Sequence, residues 1–146
     1  MHIEIDRHPS QLHPLVLAYI GDAVYEVLVR QKVASLGILK PERLHKAATN
    51  YVSAKGQAYI LSFLYDELTE EEKEVVRRGR NTKSKTSPKN TDILLYRHST
   101  GFEALIGYLF LMKNEKRLME LIKKAFEIME MRDLHERLDH GKEPGH

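Results

Sequence analysis

The amino-acid sequence predicts an all-α domain, a bundle of helices, and three observations support that prediction. Apolar residues recur at spacings of three and four along most of the 146-residue chain. No stretch alternates polar and apolar residues for long enough to predict a β-strand. A hydrophobic content of 42% is enough to fill one core, so any second folded domain would have to be very small.

Three helices are predicted in the first half of the chain. The first begins within residues 11–14 and ends near Ser35, ahead of a stop at Gly37. Pro41 suits the first turn of the second helix, because the missing N–H of proline has no helical partner there anyway. The third helix is predicted over residues 53–64.

A fourth helix is predicted to begin at Thr69, whose hydroxyl can cap it. Three glutamates follow at 70–72, near the positive end of the helix dipole. This helix should end around 78–79. Residues 79–92 then carry no hydrophobic side chain, so they are predicted to form a mobile surface loop.

A fifth, apolar helix is predicted to begin at a hydroxyl cap in 99–100 and to run through Met112. A sixth, amphipathic helix begins at Glu115 and completes a folded domain of residues 1–131. The remaining residues, 132–146, are predicted to be a flexible C-terminal tail.

Composition excludes several classes of chemistry. The chain has no cysteine, which excludes disulfides, thiolate-bound zinc, iron–sulfur clusters and a thiol nucleophile. Any metal must therefore be held by oxygen or imidazole. The N-terminus lacks the layout of a secretory signal, and no apolar run reaches the roughly 18 residues that a membrane-spanning helix needs. We therefore expect a cytoplasmic protein that is not associated with a membrane.

Two carboxylates stand in otherwise apolar helices. Asp22 lies in L-V-L-A-Y-I-G-D-A-V-Y, and Glu103 lies in F-E-A-L-I-G-Y-L-F. A buried charge must be paired, metal-bound or neutralised. Gly21 precedes the first acid and Gly107 follows the second by one turn, and glycine inside a helix indicates a close approach of another element. The two acids could therefore meet in the interior of the bundle and hold a divalent ion.

Ligation by oxygen alone favours Mg²⁺ or Mn²⁺. The alternative is that each acid faces solvent or pairs with a basic residue. Glu26 is expected to pair with Arg30 in this way, because the two lie four residues apart on one helix. Glu26 also follows Asp22 by one turn, which makes it a lesser candidate for the same site.

Basic residues cluster between Arg77 and Arg97, where seven lysines and arginines stand against a single acid, Asp92. Neutral hydrogen-bonding side chains lie between the cations. This mixture suits recognition of the backbone of duplex RNA, where side chains seldom read bases. The alternative is a solvated charged loop without a partner. The candidate RNA-binding residues are Arg77, Arg78, Arg80, Lys83, Lys85, Lys89 and Asn90.

Several motifs together resemble the ribonuclease III family. L-A-Y-I-G-D-A-V-Y-E resembles the family's box E-x-x-E-F-L-G-D-A-V, and F-E-A-L-I-G-Y-L-F resembles the end of its box D-x-x-E-A-x-x-G. R-G-R-N, P-K-N-T-D and Y-R-x-S-T lie between them. The ordered set is most similar to the Mini-ribonuclease III group and covers about residues 15–111.

The resemblance implies that Asp22 and Glu103 are the catalytic metal ligands, with Mg²⁺ as cofactor and Mn²⁺ as an alternative. Two positions depart from the larger members of the family. Ala18 stands where a second glutamate would be, and Thr100 stands where the first acid of the other box would be. This departure leaves the number of ions and the full ligand set open.

The resemblance also implies a homodimer with the ribonuclease III-like catalytic fold and a valley for duplex RNA. The implied activity is cleavage of double-stranded RNA to 5′-phosphate and 3′-hydroxyl ends, in maturation of 23S ribosomal RNA precursor, with a ribosomal protein as a candidate helper. The chain has no room for a separate double-stranded-RNA-binding domain, so the loop over 79–92 should grip the RNA. The alternative is a non-catalytic double-stranded-RNA-binding dimer of the same fold.

Overall fold

The computed structural model describes residues 2–82 and 92–141, and in those ranges it is built of α-helices without any β-strand. The helices are α1 (Pro14–Ser35), α2 (Pro41–Val52), α3 (Ala54–Leu64), α4 (Glu70–Asn81), α5 (Ile93–Leu111) and α6 (Glu115–Gly141). Short 3-10 turns precede α1 and α4. The all-α prediction is confirmed. None of the described helices combines the length and the apolar character needed to cross a membrane.

Helix α5 lies at the centre of the fold. It packs against α1, α3, α4 and α6. Between Ser99 and Leu109 every residue except Glu103 is buried. A helix that is apolar on nearly all sides is stable only when other elements surround it, and α5 meets that condition. Glu103 is therefore the one carboxyl group within the most enclosed stretch of this helix.

Several helix boundaries lie where the sequence predicts them. Helix α1 begins at Pro14 and ends at Ser35, and Gly37 beyond it adopts a φ of +78°, which favours glycine. At the start of α4, the hydroxyl of Thr69 accepts the backbone N–H of Glu72, and the Glu72 carboxylate accepts the backbone N–H of Thr69. This complete capping box confirms the predicted start of α4.

Helix α4 ends later and α5 begins earlier than the sequence predicts. Helix α4 continues to Asn81, because Gly79 does not stop it but is buried against α5, where a methyl group would lie 3.0 Å from the Cα atom of Gly101. Helix α5 begins at Ile93, and Asp92 caps it by accepting two backbone N–H groups.

The predicted hydroxyl cap of α5 was therefore wrong. Ser99 and Thr100 lie inside the helix, and both hydroxyls donate to the carbonyl of Tyr96, at 2.7 and 3.0 Å. This back-bonding satisfies the two hydroxyls within a helix that leaves them buried. Most of the loop predicted between α4 and α5 lies outside the described residues.

Helix α6 runs to Gly141, so its predicted end near Met131 was wrong. Arg132 helps to extend it, because its guanidinium lies 4.9 Å from the ring centre of Tyr59 and bonds Glu136 one turn later. The last five residues of the predicted tail lie outside the described residues. The division into a folded domain and a tail stays a prediction.

Helices α1 and α5 meet backbone to backbone. A methyl group added at Gly21 would overlap the carbonyl of Glu103, and one added at Gly107 would overlap the carbonyl of Leu17. The same added methyl groups would also lie 2.7 Å from the nitrogen of Gly107 and 3.0 Å from that of Gly21. Only glycine permits this approach, so the sequence-based expectation of a close contact at these two positions is confirmed.

Candidate active site

Asp22 and Glu103 lie side by side where α1 crosses α5. Asp22 directly follows Gly21, and Glu103 precedes Gly107 by one turn, so the glycine contact carries both carboxyl groups to one place. The side-chain carboxyl groups of Glu103 and Asp22 lie within hydrogen-bonding distance of each other. The structure thus brings together the two acids that the sequence singles out.

The two carboxyl groups differ in exposure. Glu103 is half-buried, whereas Asp22 is exposed on the outer face of α1. The expectation that both acids lie in the interior was wrong for Asp22. Helix α1 is apolar on nearly all sides, but only one side packs within the chain, and Val16 and Tyr19 on the outer side are 42% and 81% exposed. The pair is therefore open to solvent on the side of Asp22.

The electrostatic environment of Glu103 is unusual. Burial, together with the hydrogen bond to Asp22 and its negative charge, raises the pKa of Glu103 to about 9. In residues 2–82 and 92–141, no basic side chain forms an ion pair with either carboxyl group. At neutral pH Glu103 therefore keeps its proton. Two touching carboxyl groups without a cation are typical of a functional site rather than of a structural ion pair.

The sequence analysis missed Gln57, which also contacts Glu103. Gln57 of α3 is only 2% exposed, and its Nε2 donates to the carbonyl of Val52 at 2.9 Å. Its side chain also lies within hydrogen-bonding distance of the Glu103 carboxyl group. Its Oε1 atom is buried without a hydrogen-bond partner among the described residues. A lone amide in the apolar stretch of α3 was the available signal, but its partner is remote in sequence.

The neighbouring candidate positions add no third carboxylate. Glu26 pairs with Arg30 at 3.5 Å, as predicted. Ala18 and Thr100, the two departures from the family boxes, are both buried. The described part of the chain contains no group of three or more histidine, aspartate or glutamate side chains placed to hold a metal. The carboxyl groups that one chain could offer to a metal at this place are thus those of Asp22 and Glu103.

The chemistry of this pair fits a hard divalent cation. Both side chains offer oxygen atoms, and Mg²⁺ is commonly held by one or two carboxylates, with water and phosphate oxygens completing its shell. A cation at this position would also replace the shared proton, because it supplies the positive charge that the pair lacks. Asp22 and Glu103 are thus the residues that would hold the ion.

The basic residues at the end of α4 have partners within the chain. Arg77 donates to both carboxylate oxygens of Glu74 at 2.6 to 3.0 Å. Arg78 donates to the backbone carbonyls of Ser10 and Leu12, at 2.9 and 3.3 Å, which ties α4 to the segment before α1.

Arg80 is half-buried beside His98, whose pKa is lowered by burial and then by the Arg80 charge. The other candidate RNA-binding residues, Lys83, Lys85, Lys89 and Asn90, lie outside the described residues. In the described part of the chain, the cationic surface at the end of α4 thus consists of three arginines that differ in their burial and in their hydrogen-bond partners.

Comparison with known proteins agrees with the observed fold. The sequence profile of the Ribonuclease III domain matches residues 15–114. The crystal structure of a Fusobacterium nucleatum protein is similar, with a TM-score of 0.73 and 30% identity, over 80% of this chain and 93% of that one. The fold is therefore that of a ribonuclease III domain.

Relatives of known type are closer in sequence. The Mini-ribonuclease 3 of Brevibacillus brevis is 54% identical over 87% of this chain and 95% of its own length. That of Enterococcus faecalis is 51% identical over 80% of this chain and 89% of its own. The chain therefore belongs to the Mini-ribonuclease 3 group of the ribonuclease III family. Members of this family are endoribonucleases, enzymes of the hydrolase class that act on double-stranded RNA.

We expect the stability of the metal-free protein to fall as the pH rises from about 4.5 to about 9, because the folded state holds the Glu103 proton more tightly than the unfolded chain does. One such group contributes at most about 1.4 kcal/mol per pH unit. Glu103→Gln should remove this slope, whereas Glu127→Gln, at an exposed site on α6, should keep it. Denaturant unfolding in chelator across this range measures the effect. Parallel curves for wild type and Glu103→Gln would contradict the assignment.

Proposed function

We propose that Asp22 and Glu103 form the catalytic centre at which this endoribonuclease hydrolyses double-stranded RNA with a divalent ion, Mg²⁺ or Mn²⁺. One observation carries the proposal: two carboxyl groups touch at the α1–α5 crossing, without a cationic partner among the described residues. Membership in the ribonuclease III family supports the reaction class.

The two carboxyl groups have different parts in this proposal. Asp22 and Glu103 would hold a divalent ion, which would supply an activated water for in-line attack on the phosphodiester and would stabilise the leaving 3′ oxygen. Asp22 is exposed, so an RNA strand can reach it from solvent. Glu103 is half-buried and must lose its proton before both groups can bind a cation. Cleavage in this direction leaves 5′-phosphate and 3′-hydroxyl ends.

We propose that the natural substrate is the precursor of 23S ribosomal RNA, cut at a duplex formed by its ends, and that a ribosomal protein can assist. The resemblance to Mini-ribonuclease 3 proteins supports this choice. The proposed hydrolysis itself requires only an RNA duplex with an accessible phosphodiester.

The end of α4 and the segment that follows it are proposed to grip the RNA backbone. Arg80 is half-buried on this surface, and Arg77 would have to exchange its ion pair with Glu74 for a phosphate. Arg78 contributes charge while its hydrogen bonds go to backbone carbonyls. The lysines at 83, 85 and 89 would extend the same surface. Phosphate contacts of this kind give affinity that depends on salt but little on sequence.

We propose that two copies of the chain assemble through the outer face of α1. Leu15, Val16, Tyr19 and Val27 on this helix are between 37% and 81% exposed. A cluster of exposed large apolar side chains indicates an interaction surface. Asp22 lies on the same exposed side of α1, which would place the two sites of a dimer near its interface.

Asp22→Asn and Glu103→Gln should each lower the rate of duplex cleavage by roughly three orders of magnitude, because metal stabilisation of the transition state contributes several kcal/mol. The controls Asp66→Asn and Glu127→Gln change exposed acids elsewhere and should cut normally. Cleavage is measured with a labelled duplex in Mg²⁺ and in chelator, alongside RNA affinity. A near wild-type rate for either site variant would refute the site. Binding without any cleavage by the wild-type protein would favour the non-catalytic dimer instead.

Replacing Lys83, Lys85 and Lys89 by Gln should weaken duplex binding and reduce the salt slope by about 2 to 3, since each phosphate contact contributes about 0.9. The control replaces three exposed cations of α6, Lys116, Lys123 and Arg137, by Gln. Affinity is measured by fluorescence anisotropy over a range of salt concentrations. Equal salt slopes for the two triple variants would show that the loop does not take part in RNA binding.

Tyr19→Glu should shift the protein from dimer to monomer, because it places a charge on the most exposed of the large side chains on the outer face of α1. Leu39→Glu, at an apolar side chain that is 89% exposed between α1 and α2, is the matched control. Sedimentation equilibrium at several protein concentrations distinguishes the two states. A wild-type protein that stays monomeric at high concentration would contradict the dimer.

A further inference from the structure

Gln57 is an unusual residue for its position. It lies in α3, is 2% exposed, and has apolar neighbours in sequence on its C-terminal side. Burying an amide among apolar side chains costs free energy unless its hydrogen bonds are made. The donor nitrogen of Gln57 makes such bonds, whereas its acceptor Oε1 makes none among the described residues. The surroundings of Gln57 therefore satisfy its hydrogen-bond donor but not its acceptor.

Two acceptors fix the orientation of this amide. One hydrogen of Nε2 goes to the carbonyl of Val52, the last residue of α2, at 2.9 Å. The amide also lies within hydrogen-bonding distance of the Glu103 carboxyl group on α5. A flipped amide would turn its oxygen toward both of these oxygen atoms, which is repulsive. The unpartnered Oε1 is thus the consequence of directing the donor end toward Glu103.

We propose that Gln57 is a positioning residue that holds the Glu103 carboxylate in the orientation in which it receives the divalent ion. This inference rests on the proposed function of the Asp22–Glu103 pair. Gln57 does not touch the ion or the RNA. It links the end of α2 to the carboxylate, so that Glu103 is held from behind by α3 while its other side faces Asp22. Partners of this kind, which orient a ligand without binding the metal, set both affinity and activity.

The test replaces Gln57 by Met, which keeps the unbranched shape but cannot donate. The probe is Mn²⁺, whose binding to the RNA-free protein is measured by electron paramagnetic resonance, with Asp22→Asn as the baseline for unspecific sites. We expect Gln57→Met to weaken specific Mn²⁺ binding by 10- to 100-fold. Cleavage should require correspondingly more Mg²⁺, and affinity for duplex RNA in chelator should be unchanged.

The control Ser53→Ala distinguishes the positioning role of Gln57 from a merely structural role in α3. Ser53 caps α3 by accepting the backbone N–H of Gly56, so this variant weakens the same helix without touching Glu103. We expect it to melt earlier but to bind Mn²⁺ as the wild type does. Unchanged Mn²⁺ binding by Gln57→Met would overturn the proposal. If Asp22→Asn is still inactive in that case, the catalytic site itself stands.

A second measurement uses the wild-type protein and does not depend on the folding of Gln57→Met. The side-chain amide resonances of Gln57 should shift when Mg²⁺ is added, because the Glu103 carboxylate that accepts their hydrogen bond changes its charge state. The shift should be absent in Asp22→Asn, which removes the second carboxylate. Resonances that do not move at saturating Mg²⁺ would overturn the positioning role.

Discussion

The backbone contact between α1 and α5 determines where everything else in the site lies. Gly21 and Gly107 allow the two helices to approach until each glycine touches the other helix's main chain. This contact cannot be loosened by a side-chain rearrangement, since the atoms involved are backbone atoms. The carboxyl groups next to these glycines are consequently held in contact although they are far apart in sequence. The glycines thus allow the close approach because they have no side chain, and the acids supply the carboxyl groups of the site.

This crossing also explains the uneven environment of the two acids. Glu103 belongs to the central helix, which packs against α1, α3 and α4, whereas Asp22 belongs to the outer side of α1. Burial and the neighbouring carboxylate both favour a protonated Glu103, and Gln57 works in the opposite direction by bonding its charged form. The two carboxyl groups together thus favour the binding of a positive charge at this point on the surface. A cation meets this demand better than a proton, because it interacts with both carboxylates.

The sequence alone predicts the features that have local causes. Thr69 caps its helix through a residue three positions away, and the acids at 22 and 103 are conspicuous because a charge in an apolar run is costly. The features that depend on remote packing could not be predicted. The exposure of Asp22 follows from the uncovered side of α1, and the contact of Gln57 with Glu103 follows from how α3 meets α5. The cap of α5 was also missed, because Asp92 begins this helix instead of the predicted serine–threonine pair.

The bonds from Arg78 to Ser10 and Leu12 connect the last turn of α4 with the entry to α1, the helix that carries Asp22. The described end of the surface proposed to bind RNA is therefore fastened to the beginning of the helix that carries a proposed metal ligand. A duplex bound at the end of α4 would thus lie beside α1 in a position that the protein backbone helps to set, without contact to any base.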